Sequence, residues 1–144
     1  GGRGLIQGQL LDLAAFNSAQ SIEELRQCYV LKTSVMFDLA VTIGAVLGEA
    51  TDQELAILQN FASAFGVAYQ IRDDIIDSVQ TFEQTGKDTN SDKKNHKPNY
   101  VSLLGVKEAT KELEQTVDEA LDYLDQLDRP DAHLRDLTNK LRSI

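Results

Sequence analysis

Apolar residues recur at intervals of three and four positions along most of the chain, which is the spacing of amphipathic helices. The clearest run begins at Asp52 and continues to about Val79, with apolar residues at Leu55, Leu58, Phe61, Ala62, Phe65, Ala68 and Tyr69. Signals for β-strands are essentially absent. Long segments rich in Leu, Ala, Glu, Gln, Asp and Lys support the same interpretation, because straight-chain residues lose little freedom in a helix. The pattern therefore predicts an all-α fold.

Capping signals place the ends of two helices. Ser21 followed by Glu24, and Thr51 followed by Glu54, have the spacing of capping boxes that open a helix. The first of these two helices is expected to stop at Gly48, a natural C-cap. Its apolar residues spread widely around the circumference, so we expect this helix to be buried on most sides.

The pattern after the long helix predicts a loop and three shorter helices. Segment 81–100 is almost entirely polar and carries four lysines, which is typical of a loop. A short apolar helix is predicted at 100–104, and an acidic amphipathic helix at 106–127. Pro130 is expected to open the last helix, which has three leucines on one face: Leu134, Leu137 and Leu141.

The composition fits one globular domain that spans residues 1–144, with 42% hydrophobic and 26% charged residues. The formal net charge of −9 argues against nucleic acid as a partner, because such binding depends on Lys and Arg. The single cysteine, Cys28, excludes an internal disulfide and is expected to be a packed side chain. We find no run of about 18 apolar residues and no leader, so we expect no stable membrane insertion and a cytoplasmic location.

Three carboxylates lie within five residues at the end of the long apolar run: Asp73, Asp74 and Asp77. Residues three and four apart on a helix are neighbours, so Asp73 and Asp77, and Asp74 and Asp77, are expected to share one face, which Gln70 joins one turn earlier. Two such carboxylates repel by roughly 2–3 kcal/mol, so a cation should compensate them. Oxygen ligands suit Mg²⁺, which is normally held by one or two carboxylates and substrate phosphates. The alternative is a solvated acidic face.

Positive charge occurs at two places that could meet a phosphate. Lys32, followed by Thr33, is almost surrounded by apolar residues, so its ammonium group must snorkel, lose its proton or meet an anion. The lysines of the polar loop either belong to a solvated segment or form a mobile cover that brings ammonium groups to diphosphate oxygens. Gly66, inside the long helix, costs about 1 kcal/mol relative to alanine, so we expect a neighbour or a ligand to approach there.

Taken in order, these motifs strongly resemble the C-terminal half of the trans-isoprenyl diphosphate synthases, and most of all bacterial farnesyl or geranylgeranyl diphosphate synthases. The likeness spans the whole chain. The motifs that carry it are Gly8-Gln9 with Asp12, Lys32-Thr33, Tyr69-Gln70-x-x-Asp73-Asp74-x-x-Asp77, Gly86-Lys87, Asp92, and Lys97-Pro98-Asn99-Tyr100-Val101-Ser102-Leu103-Leu104-Gly105.

The resemblance implies an all-α bundle around a central cavity, usually in a homodimer, that joins an allylic diphosphate to isopentenyl diphosphate with Mg²⁺. Asp73, supported by Asp74 and Asp77, would then hold one Mg²⁺. Thr33 and Gln70 would turn oxygen dipoles towards an allylic cation, while apolar helix walls exclude water. The expected diphosphate-binding residues are three lysines: Lys32, Lys87 and Lys97.

One large departure accompanies the resemblance. Members of the family are about twice this length, and their first aspartate-rich motif and isopentenyl diphosphate site precede the point where this chain starts. We therefore expect the 144-residue chain to be inactive by itself. A C15 farnesyl product is favoured over a C20 geranylgeranyl product. The alternatives are a non-catalytic regulatory subunit, which would be free to lose Lys32 and Gln70, and a purely structural helical domain.

Overall fold

The computed structural model describes residues 21–85 and 98–144, and these two ranges form helices without any strand. The predicted all-α class is therefore confirmed for this part of the chain. Numbered in chain order, the described helices are α1 (Ile22–Tyr29), a π-helical turn (Val30–Ser34), α2 (Val35–Leu47), α3 (Asp52–Thr85), α4 (Tyr100–Leu104), α5 (Val106–Asp125) and α6 (Ala132–Lys140).

The predicted capping box at Thr51 and Glu54 is confirmed, and Ser21 caps a helix as predicted. Ser21 Oγ accepts a hydrogen bond from the Glu24 N–H at 3.2 Å and opens α1. At the start of α3, Thr51 Oγ1 accepts from the Glu54 N–H at 3.2 Å, and Glu54 Oε2 accepts from the Thr51 N–H at 2.8 Å. Gly48 ends α2 as expected. These bonds satisfy backbone groups that have no partner within their own helix.

The core forms where α3 packs against α5, the most extensive contact between described elements. The apolar faces of both helices are buried there, and each fully buried Leu, Ile or Val stabilises the fold by about 1.5–3 kcal/mol. Cys28 is buried at the edge of the core, as expected for a packed side chain. The largest apolar side chains that are fully buried are Leu25, Val67, Ile71, Ile75, Tyr100, Leu113, Val117 and Leu124.

Helix α2 departs from expectation, because the prediction that it is buried on most sides is wrong. Five large apolar residues of α2 are between 52% and 80% exposed: Met36, Leu39, Ile43, Val46 and Leu47. The first four follow each other at intervals of three and four, so they form one continuous stripe along the helix. We call these four residues the α2 apolar row.

Two predicted boundaries also shift, and one predicted apolar face is less buried than expected. Helix α3 continues to Thr85, so residues 81–85 are helical rather than part of the loop. The last helix begins at Ala132, with Asp131 rather than Pro130 at its N-cap. Its predicted leucine face is only partly buried, because Leu137 is 50% exposed.

Segment Ile22–Leu47 is long and apolar enough to cross a membrane when judged by length and composition alone. Lys32 and Asp38 interrupt this segment, so it is not a continuous run of about 18 apolar residues. Core helices of soluble proteins also meet the criterion of length and composition, and so do signal sequences, so the finding by itself assigns no membrane role.

Candidate functional site

The Lys32-Thr33 motif lies in the π-helical turn between α1 and α2. Insertions of this kind occur frequently at functional sites, because the extra residue locally redirects side chains. Gly66 of α3 faces this turn. A Cβ atom at position 66 would lie 2.9 Å from the Cα and 2.6 Å from the Oγ of Ser34, so only glycine allows this approach. The predicted close neighbour at Gly66 is confirmed, and it is the π-helical turn.

This close approach brings two motifs that are 37 residues apart in sequence into contact. Thr33 Oγ1 donates a hydrogen bond to Gln70 Oε1 at 3.0 Å. Ser34 Oγ donates to the Ser63 carbonyl oxygen at 3.0 Å and adds a second link between the turn and α3. The turn that contains Lys32 therefore contacts α3 at Gln70, one turn before the aspartates.

Asp73 and Asp77 are one helical turn apart on α3. Asp77 is exposed and Asp73 is half-buried. The pKa of Asp73 is raised, first by burial and second by the charge of Asp77, while the Arg72 guanidinium opposes the shift. Burial and the charge of Asp77 both disfavour ionisation of the Asp73 carboxylate. A bound cation would offset both effects. The donor set therefore fits a hard divalent ion such as Mg²⁺.

Asp74 has a different environment from its two neighbours. Its side chain is buried, at 7% exposure, and its Oδ2 accepts hydrogen bonds from the Tyr29 hydroxyl at 2.5 Å and the Tyr100 N–H at 3.0 Å. Burial raises the pKa of Asp74, and hydrogen bonds from Tyr29, Tyr100 and Gln70 partly offset that shift. The expectation of a single face shared by all three aspartates is therefore wrong for Asp74, because its side chain turns into the core.

Tyr29 and Tyr100 are the residues of this region to which sequence reasoning gave no role. Their rings also contact each other, with centroids 5.5 Å apart. Tyr100 belongs to a motif that carried the family resemblance, and Tyr29 precedes Lys32 by one turn. The sequence positions of these two tyrosines do not predict a contact with Asp74, because α1, α3 and α4 come together only in the folded chain.

Several predicted residues fall outside the ranges that the structure describes. They include the loop lysines Lys87 and Lys97, and the motif residues Gly8, Gln9 and Asp12. Within residues 21–85 and 98–144, no group of three or more His, Cys, Asp or Glu side chains is arranged to hold a metal. The described part of the site therefore offers the pair Asp73 and Asp77 on the helix whose Gln70 binds Thr33.

The described all-α bundle has the fold of the isoprenyl synthases. The comparison with family models is more specific. Residues 3–136 match the family described as polyprenyl synthetase. The chain belongs to the polyprenyl synthetase family.

Characterised relatives include synthases of two product lengths. The farnesyl diphosphate synthase of Bacillus subtilis is 36% identical over 120 residues, covering 83% of this chain and 40% of the relative. Geranylgeranyl pyrophosphate synthase 4 of Arabidopsis thaliana is 32% identical over 131 residues, covering 89% of this chain and 35% of the relative. The chain therefore spans well under half the length of these relatives.

Solved structures also match this chain over only part of their own length. A Helicobacter pylori geranyltransferase, complexed with magnesium and isoprenyl diphosphate, matches with a TM-score of 0.74 and 31% identity. That match covers 96% of this chain and 46% of the other. Heptaprenyl diphosphate synthase of Staphylococcus aureus matches with a TM-score of 0.83 at 20% identity, covering 99% and 57%, and shows likeness of fold alone.

Proposed function

We propose that this chain is the half of a trans-prenyltransferase that holds an allylic diphosphate, which the complete enzyme joins to isopentenyl diphosphate. The observation that carries the proposal is the hydrogen bond from Thr33 to Gln70, which holds the Lys-Thr motif against the aspartate helix. Basic, dipolar and acidic groups then lie in one region. That combination suits a substrate with an anionic head and a carbon chain that becomes cationic.

Each residue has a role that follows from its chemistry. Asp73 and Asp77 would hold one Mg²⁺, which when bound neutralises the diphosphate and stabilises it as a leaving group. The Lys32 ammonium group would bind diphosphate oxygens. Lys87 and Lys97, which lie outside the described residues, are proposed to do the same.

The remaining groups act on the carbon chain. When the bond between the allylic carbon and the diphosphate oxygen breaks, Thr33 and Gln70 turn oxygen dipoles towards the allylic cation. The double bond of isopentenyl diphosphate then forms the new carbon–carbon bond, and a proton leaves to the departing diphosphate. Apolar helix walls exclude the water that would otherwise capture the cation.

A C15 farnesyl product is the favoured outcome, in keeping with the name of the Bacillus subtilis relative. The name of the Arabidopsis relative favours a C20 product as the second candidate. A non-catalytic regulatory subunit is disfavoured, because Lys32, Thr33 and Gln70 are all retained. A homodimer and a cytoplasmic location belong to the same proposal and rest on the family resemblance alone.

The α2 apolar row supports the proposal that this chain works as part of a longer bundle. Four large apolar side chains in one exposed stripe are unusual on the surface of a monomer. The chain covers 40% of its Bacillus subtilis relative, so more than half of that fold has no counterpart here. We propose that this missing part covers the α2 apolar row and completes the cavity.

The test compares two preparations: the chain alone and a complete synthase that contains it. Each receives geranyl diphosphate, isopentenyl diphosphate and Mg²⁺, and mass spectrometry measures the prenyl product. We expect no product from the chain alone and a C15 diphosphate from the complete protein. Product from the chain alone would refute the proposal that it is an incomplete half. If the complete protein forms no prenyl product, the proposed activity is wrong.

A further inference from the structure

The buried carboxylate of Asp74 accepts hydrogen bonds from two other helices. The Tyr29 hydroxyl comes from the end of α1 and the Tyr100 N–H from the first residue of α4, and both donate to the same oxygen, Oδ2. Gln70 lies four residues before Asp74, on the same face of α3, which is a spacing at which a glutamine amide can reach an aspartate carboxylate, and the Gln70 side chain lowers the pKa of Asp74 against the effect of burial.

Gln70 thus lies between two partners of different chemistry. Its amide has one oxygen that accepts and one nitrogen that donates, whereas an ionised carboxylate only accepts. The Gln70 nitrogen must therefore face Asp74, and the oxygen must face the opposite way. The structure has this arrangement, because Gln70 Oε1 accepts the hydrogen bond from Thr33.

We propose that Asp74 is a positioning residue, which fixes the side-chain amide of Gln70 so that its oxygen faces Thr33 and the substrate, and that Asp74 does not ligate metal. The proposal deepens the function above and rests on it, since the oxygen matters only if a cation forms nearby. Burial of Asp74 separates it from Asp73 and Asp77, whose side chains reach solvent.

The decisive variant is Asp74→Asn in the complete synthase. The Tyr100 N–H can only donate, so the amide oxygen of the new side chain must take the place of Oδ2 and leave its NH₂ group facing Gln70. Gln70 must then rotate its amide and present nitrogen to Thr33 and the substrate. We expect kcat to fall by about 10- to 100-fold, the usual range for a lost supporting group. The KM for geranyl diphosphate and the Mg²⁺ concentration for half-maximal rate should change by less than about twofold.

A double variant, Asp74→Asn with Gln70→Glu, exchanges the amide and the carboxylate and leaves the net charge unchanged. The carboxylate at position 70 then accepts hydrogen bonds at both of its oxygens, so an oxygen again faces Thr33. We therefore expect kcat to return most of the way to the wild-type value. Asp136→Asn removes an exposed carboxylate on α6 and serves as the control, with no change expected. The Asp73→Asn variant supplies the reference for loss of a metal ligand.

Three results would overturn the positioning role: an unchanged kcat in Asp74→Asn, no recovery in the double variant, or a Mg²⁺ requirement raised as much as in Asp73→Asn. Neutron diffraction from wild-type crystals tests the geometry without any substitution or activity. Deuterium on the Gln70 side-chain atom that faces Asp74 supports the inference, and deuterium on the atom that faces Thr33 refutes it. An inactive wild-type synthase would contradict only the proposed function, because the neutron result does not depend on turnover.

Discussion

Asp73 and Asp74 are adjacent in sequence, and their side chains leave α3 about 100° apart around the helix axis. That rotation turns Asp73 towards solvent, beside Asp77, and turns Asp74 into the core beside Tyr29. A carboxylate in the first setting has room for a cation, whereas one in the second setting is already satisfied by protein donors. The two residues therefore divide one motif into a part with room for the proposed metal ion and a part that protein donors already satisfy.

Replacing Asp73 with alanine tests whether this carboxylate is needed for catalysis rather than for stability. In the complete synthase we expect the rate to fall by about 100-fold or more, because charge stabilisation of the leaving group is lost. Thermal stability should stay the same or rise slightly, because burial and the charge of Asp77 both disfavour the ionised Asp73 carboxylate and raise its pKa. Steady-state kinetics and thermal melts followed by circular dichroism measure the two effects.

Asp122→Ala, which removes an exposed carboxylate on α5, is the matched control for that experiment and should leave both quantities unchanged. Full activity in the Asp73→Ala synthase would show that the metal assignment is wrong.

At the scale of elements, the contact between α3 and the π-helical turn depends on the absence of a side chain at Gly66. Alanine there would gain up to about 1 kcal/mol of helix propensity. Its Cβ would nevertheless overlap the Cα of Ser34, which a change of rotamer cannot relieve. We expect Gly66→Ala to lower the free energy of unfolding by about 1–3 kcal/mol, as in overpacked cores.

Gly44→Ala is the matched control, since no atom lies within 4 Å of a Cβ added at position 44 of α2. It should stabilise the chain by up to about 1 kcal/mol. Urea titration of the two variants measures the difference. A Gly66→Ala chain as stable as the Gly44→Ala chain would show that the turn and α3 are not in close contact.

A single arginine connects the end of α2 to the start of α3. Arg129 donates to Glu54 Oε1 at 2.8 Å, to the Gly48 carbonyl oxygen at 2.8 Å and to the Glu49 carbonyl oxygen at 3.3 Å. Cationic groups at a helix C-terminus satisfy the last carbonyls and the helix dipole. The pKa of Glu54 is lowered, first by the hydrogen bond from Arg129.

The sign of this shift predicts a pH dependence. Because the pKa of Glu54 is lower in the folded chain, its contribution to stability is present above the unfolded value of 4.5 and is lost as pH falls through the folded pKa. Arg129→Gln should therefore lower the melting temperature at pH 7, and the gap between variant and wild type should narrow as pH falls below 4.5. Thermal melts of both proteins at pH 7 and pH 3.5 measure this difference in melting temperature. A gap that stays constant with pH would contradict the assignment.

At the scale of the whole molecule, the chain combines a net charge of −9 with an exposed apolar stripe on α2. Charge repulsion favours separate molecules, whereas the α2 apolar row favours association with any apolar surface. We expect the isolated chain to self-associate more strongly as salt screens the charge. Sedimentation velocity at low and high salt measures this.

The double variant Leu39→Gln with Ile43→Gln should abolish that association. Val106→Gln, at an exposed apolar position on α5, should leave it unchanged. If the Leu39 and Ile43 variant associates as strongly as wild type, the α2 apolar row is not the surface responsible.

Local signals along the chain predicted the helices, their caps and the residues of the aspartate motif, because propensity, capping and periodicity act between residues a few positions apart. Thr51 and Glu54 form the predicted capping box for that reason. The exposure of α2 could not be predicted in this way. An apolar stripe has the same sequence pattern whether or not another surface covers it.

The sequence by itself determined the all-α class, the family motifs and the position of Gly66 as a point of close approach. Only the tertiary structure decided which partners those residues meet: Thr33 on Gln70, Ser34 on Gly66, and Tyr29 with Tyr100 on Asp74. The physical reason is that periodicity fixes the angle at which a side chain leaves its helix. What lies in that direction depends on how distant helices pack, which in this chain brings together residues from α1, the π-helical turn, α3 and α4.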